Sequence, residues 1–303
     1  GKKYKEIDYD HERLENSAYN WNNGPYTLKS IKKEGGICVD QAYYGTMTAR
    51  AWGIPAMQFT GRGKRGNHSW FGYMKSQRHW NLEAGRYEDD KYTVGITIEP
   101  RTNNTMTDHD ATVFCDPVFR TRDFYIARRL CRIAEVCNKF ELDKQTKLFL
   151  EKALRRVDIY RTAWNLLEKY YQRKNDIEAL LEVLDERQKT FSRYPGQRCE
   201  IALRKAKIMR KNGDLKGAYQ FLEDVQRFLS RRRYDLAKRI FMTRLELLEE
   251  TGQKEEKMES IEEYLEDNAD QGAKLLGLTE RYVQFVSKIN RAKEGRRYME
   301  RFV

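Results

Sequence analysis

Cys38 directly follows Gly35, Gly36 and Ile37 and opens a stretch with small and apolar residues at helical spacing, Ala42, Gly45, Thr46 and Ala49. A thiol at a helix N-terminus meets unpaired N–H groups and a partial positive charge, both of which favour the thiolate. The same N–H groups can hold the oxyanion of a tetrahedral intermediate. Thirty residues on, His68 heads an aromatic run, Ser69-Trp70-Phe71. A cysteine with a histidine base is the minimum for nucleophilic acyl transfer, the imidazole also protonating the leaving group. A third group must fix the imidazole's tautomer and orientation. Asn81 and Glu83 stand two apart on an extended run, so they share a face, and either has a side chain suited to that task.

Three ordered blocks then carry a resemblance. Gly35-Gly36-Ile37-Cys38-Val39-Asp40-Gln41-Ala42, then Ala49-Arg50-Ala51-Trp52-Gly53-Ile54-Pro55-Ala56, then Asn67-His68-Ser69-Trp70 closely resemble the core of the transglutaminase-like superfamily. The resemblance covers about residues 15–100, a third of the chain. It implies a papain-like α+β fold with Cys38 as nucleophile on a helix and His68 as base on the sheet. An aspartate usually ends the family's next strand. At the matching spacing this chain has Glu83, with Asn81, the papain-like residue type, as the alternative third member. Relatives often place an aromatic shortly before the nucleophile, so Tyr19 and Trp21, together with Trp70 of the third block, are expected on the oxyanion or substrate side. The implied activity is thiol-dependent acyl transfer on amide bonds of proteins or peptides, of peptidase, deamidase or transglutaminase type. Its rival is a non-catalytic interaction scaffold that keeps a degenerate transglutaminase-like domain.

The elements around these residues change character along the chain. Pro25 to Lys33 predicts a short helix stopped by Gly35-Gly36, since glycine takes the left-handed conformation that ends helices. Cys38 to Trp52 predicts a second. Four aromatic and β-branched runs follow, 56–60, 69–74, 79–83 and 92–98, separated by glycine-rich or charged turns, which predicts antiparallel strands. From Asp123 everything reads as helix. Turn signals recur at Asn138, Asn175-Asp176, Asn212-Gly213-Asp214, Thr251-Gly252-Gln253 and Asn290, in steps of 37 to 39 residues. That period predicts a solenoid of about five helical hairpins, resembling tetratricopeptide (TPR) repeats but longer than their usual 34 residues. The expected organisation is an α+β papain/transglutaminase-like domain over 1–117 and an all-α, TPR-like repeat domain over 123–303.

Composition bounds the partners. The 303 residues carry a net charge of +12, of which only +1 belongs to 1–117. The basic excess therefore lies in the helical part, where a charge run such as Ser230-Arg231-Arg232-Arg233 is more often a solvated face than a nucleic-acid site. The expected partners are a protein or peptide substrate and a protein bound by the repeats. The basic loop Gly61 to Gly66 reads first as a flexible hairpin turn, with selection of acidic substrates as its functional reading. No run approaches the ~18 apolar residues of a membrane-spanning helix. Five cysteines do not make a disulfide framework, and Cys115, Cys131, Cys137 and Cys199 lie outside the motif. No C-x-x-C occurs, and His11, His79 and His109 do not fall at metal-ligand spacing, so no cofactor is expected; Asp108-His109-Asp110 reads as a solvated loop. The first residue is Gly1 rather than Met, which reads as processing or excision and leaves localisation open.

Overall fold

The structure is a computed structural model that describes residues 2–63, 66–86, 94–99, 103–230 and 233–302. Lys64 and Arg65 of the basic loop, Tyr92-Thr93 at the head of the fourth extended run, and Arg231-Arg232 lie outside the described residues.

Helix α1 (His11–Glu15) and α2 (Leu28–Glu34) precede α3 (Cys38–Ala51). Thr27 caps α2 by accepting from the Ser30 amide, and Gly35, at φ +77°, ends it. Five strands follow: β1 (Ala56–Gly63), β2 (Gly66–Ser76), β3 (His79–Ala84), β4 (Gly95–Ile98) and β5 (Thr105–Thr107). They form one sheet in the order β3-β2-β1-β4-β5. The pairing of β2 with β3 is antiparallel, Phe71 opposite Ala84 and Tyr73 opposite Asn81, with a register shift between those pairs. Each sheet face has its own core. Phe71 and Ala84 pack with Tyr4 and with Ala42 of α3 on one side. Phe59 and Trp70 pack with Met57 and Ala111 on the other, Ala111 belonging to a further helix, α4 (Asp108–Phe114).

The stretch Asp108-His109-Asp110 is thus the first turn of α4 rather than a solvated loop. Thr107 caps it, and the buried Asp108 accepts from Arg86 and from the Gly95 amide. Burial with two donors is what turns an apparently polar loop into a helix start.

Beyond residue 107 the described residues contain no strand. Ten helices run in pairs: α5 (Arg122–Lys139) and α6 (Asp143–Arg156); α7 (Arg161–Lys174) and α8 (Ile177–Thr190); α9 (Pro195–Lys211) and α10 (Leu215–Ser230); α11 (Tyr234–Glu250) and α12 (Lys254–Asp267); α13 (Leu276–Lys288) and α14 (Ala292–Phe302). Each pair turns through one left-handed residue: Glu141, Asn175, Gly213, Gly252 and Asn290. Four of the five coincide with the sequence turn signals. The first falls at Glu141, three residues after Asn138. Buried alanines, among them Ala127, Ala134, Ala153, Ala163, Ala218 and Ala237, let paired helices approach closely. Along the chain, helical hairpins thus follow a small antiparallel sheet.

The molecule divides into two compact units, Gly1–Gly63 with Asn67–Lys205 in one and Ala206–Val303 in the other. The change of texture expected at 117–123 falls between α4 and α5, after the last strand has ended at Thr107, and the first unit continues past it. Arg161 of α7 pairs with Asp110 of α4 at 2.6 Å, and Tyr194 donates to Asp116 at 2.5 Å, which ties the leading helices to the sheet region. The second unit has its own core, centred on Phe241, Leu245, Ile261, Tyr264, Leu278 and Tyr282.

Candidate functional site

Cys38 is the first residue of α3 and is buried. Burial pushes its thiol up from the ordinary cysteine value, while backbone hydrogen bonds from Ser69, Val39 and Cys38 itself act the other way. The Ser69 contact matters most for geometry, because it sets the thiol against β2 one residue along from His68. His68 is itself buried. Its Nε2 lies 2.8 Å from the Gly85 carbonyl oxygen. A carbonyl only accepts, so that nitrogen carries a proton, and the bond fixes the orientation of the ring.

The partner of His68 Nε2 is therefore a main-chain carbonyl. Glu83 does not take that place: its side chain is 57% exposed and stands 4.0 Å from Arg86. Asn81 does not take it either, since its Oδ1 accepts from the Glu83 amide two residues on in the same strand. The cause is register. Phe71 opposes Ala84, so His68 stands across from the chain just past β3, beyond the reach of residue 83, whose side chain alternates to the solvent face. The left-handed Gly85 makes the turn that presents its carbonyl, and a Cβ there would fall 2.4 Å from the Tyr4 ring.

The α3 N-terminus is held from below by a buried ion pair. Asp40 accepts from the Ile37 amide at 3.0 Å, from Arg13 at 2.7 Å and from the Tyr26 hydroxyl at 2.9 Å. Arg13 also donates to the carbonyls of Ala18 and Tyr19. That network fixes residues 10–26 against the start of α3. Tyr4 completes the surround by donating its hydroxyl to the Ser69 carbonyl at 2.9 Å. An acid at the third helical position is a capping signal visible in sequence; nothing local marks Arg13 or Tyr4 as its neighbours.

The aromatic positions divide. Trp70 is fully buried, stacks on Phe59 and donates its indole N–H to the Leu82 carbonyl, so it is a core residue rather than a substrate contact. Trp21 donates to the Gly24 carbonyl, with the Arg13 guanidinium over its ring. Tyr19 exposes its side chain, and only its carbonyl belongs to the Arg13 network. Among the described residues no three histidine, cysteine or acidic side chains gather as a metal site. No described helix is long and apolar enough to cross a membrane.

A second feature lies at the far end of α3. Arg50 lines an open cavity of about 1290 Å³ with walls that include Trp80, Phe114, Phe124, Tyr125 and Tyr160. Cys38 and Arg50 stand twelve residues apart on one helix, which at 1.5 Å per residue separates the two places by about 18 Å.

No known family model matches the chain, and no curated protein matches it. Among solved structures, Pseudomonas aeruginosa pilF is 14% identical, with 60% of this chain and 77% of that chain covered at a TM-score of 0.36. A putative kinesin light chain of Podosopora anserina, with nearly identical TPR-like repeats, is 14% identical over 58% and 92%, again at 0.36. BtubC of P. vanneervenii is 12% identical over 64% and 84% at 0.37. Superpositions this loose carry no argument, and the repeat architecture described above rests on the helix pairing itself.

Proposed function

We propose that this chain is a protein-interaction scaffold whose helical hairpins recognise a polypeptide partner. The observation that supports this reading is the array of ten paired helices over residues 122–302, whose hairpins present side chains for contact on faces their own packing does not use. Two features of the sheet region agree with a binding role. Cys38 is a buried thiol whose protonated form burial favours, and the acid at the family's third position faces solvent. The test is selection of a displayed random peptide library on the purified full chain. A consensus that is competed by soluble peptide, and that the Cys38→Ala variant selects equally, is the expected result. Selection that yields no consensus would overturn the reading.

A second reading is favoured by His68. Its Nε2–H held by a carbonyl, with backbone amides directed at the Cys38 sulfur, is an arrangement suited to thiol-dependent acyl transfer on amide bonds. In that reading Cys38 is the nucleophile, His68 the base, and Gly85 supplies the orientation that Glu83 does not. Hydrolysis, deamidation and isopeptide formation all pass through the same thioester.

A further inference from the structure

Helix α5 has an outward face that nothing in its own unit covers. Tyr125, Ile133, Val136 and Phe140 are all exposed, Tyr125 by 55% and Phe140 by 71%. At 100° per residue these four fall within an arc of about 80°. Arg128, Arg129 and Arg132 lie along the same side, exposed, and none makes an ion pair with a described residue. The apolar stripe is continuous with the cavity described above, because Tyr125 and Arg128 line it.

We propose that the outward face of α5 and the adjoining cavity dock a polypeptide segment that carries acidic side chains among apolar ones. Three observations select that occupant. The charged side chains along the face, Arg128, Arg129, Arg132 and Lys139, are all cationic, with Glu135 at its margin, and arginine forks bind carboxylates bidentately. By contrast, the other cations of the cavity are already engaged: Arg50 donates twice to the Ala56 carbonyl and Arg161 pairs with Asp110. The cavity's 1290 Å³ exceeds the roughly 300–1,000 Å³ of ordinary small-molecule pockets, giving room for several residues of a chain. A lipid surface would meet the basic and apolar helix face but leave the recessed cavity unfilled. A chain that lies along α5 and sends a side chain into the cavity satisfies both.

This inference rests on the scaffold reading and names where its partner binds. Its test is fluorescence anisotropy on the full chain with a short fluorescein-labelled peptide of glutamate, leucine and phenylalanine, and with its glutamine counterpart. The acidic peptide should bind about tenfold more tightly, or 1.4 kcal/mol. Arg128→Glu combined with Arg132→Glu should abolish that preference, with an unchanged melting temperature as the check on folding. Arg296→Glu, at an exposed arginine of α14, should leave it intact. Equal affinity for the two peptides, or equal loss in the Arg296→Glu variant, would overturn the proposal, as would binding of phosphatidylserine vesicles without binding of peptide. If library-selected peptides bind but ignore Arg128 and Arg132, the docking site is wrong and the scaffold reading stands. If no peptide binds at all, both fall.

Discussion

The Asp40 carboxylate is the residue on which the candidate site most depends. It is buried, accepts three hydrogen bonds, and pairs with an equally buried Arg13. Removing one partner of such a pair leaves an uncompensated charge, and Asp40→Ala should cost about 3–5 kcal/mol in chemical denaturation. Glu83→Gln should change stability by less than about 0.5 kcal/mol, because its side chain is mostly solvated. Cys38 gives a second prediction. A raised thiol pKa means a smaller thiolate fraction at any pH below it, so iodoacetamide should modify Cys38 more slowly than free cysteine at about pH 8, the rate still climbing in more alkaline buffer. Cys115 and Cys131, pushed up to about 12 by burial, should be slower still. His68→Ala should leave the Cys38 rate unchanged; peptide mapping that shows rapid, His68-dependent labelling would favour the acyl-transfer reading instead. The placing of Cys38 at a helix start and of His68 on a strand was legible, because Gly-Gly-x-Cys and His-x-Trp are side-chain patterns. The Gly85 carbonyl beside His68 was not, because a backbone carbonyl has no residue type.

Among the elements, the turns show most plainly what sequence encodes. Asn175 sits at φ +54° and its amide bonds back to Gln172. Asparagine and glycine tolerate that conformation, whereas a β-branched side chain meets the carbonyl beside it. Asn175→Gly should leave the melting temperature nearly unchanged, and Asn175→Val should cost about 1–2 kcal/mol. Gly213, Gly252 and Asn290 were readable for the same reason. Glu141 was not. Its left-handed backbone is imposed by closure of the hairpin, where the Leu142 amide donates to the Cys137 carbonyl, and no glutamate announces such a turn. Strand β5 has only three residues, too few for an alternating pattern, and α4 hid behind charges that turn out to be buried partners. The β2–β3 register shift is likewise a property of pairing rather than of either strand. Gly85→Ala tests the resulting geometry. The added methyl meets the Tyr4 ring at a left-handed residue and should cost about 2–4 kcal/mol, read by thermal unfolding.

At the scale of the whole chain, a basic array of helical hairpins accompanies a small sheet region whose candidate site is buried and held by a salt bridge. In this account recognition belongs to the helices. The measurement that tests this most directly is hydrogen–deuterium exchange of the full chain with and without a library-selected peptide. Slowed exchange within residues 122–174, covering α5 and α7, with no change at residues 36–41 and 67–71, is the predicted result. Protection confined to those two segments around Cys38 and His68 would contradict it and place the polypeptide at the thiol instead.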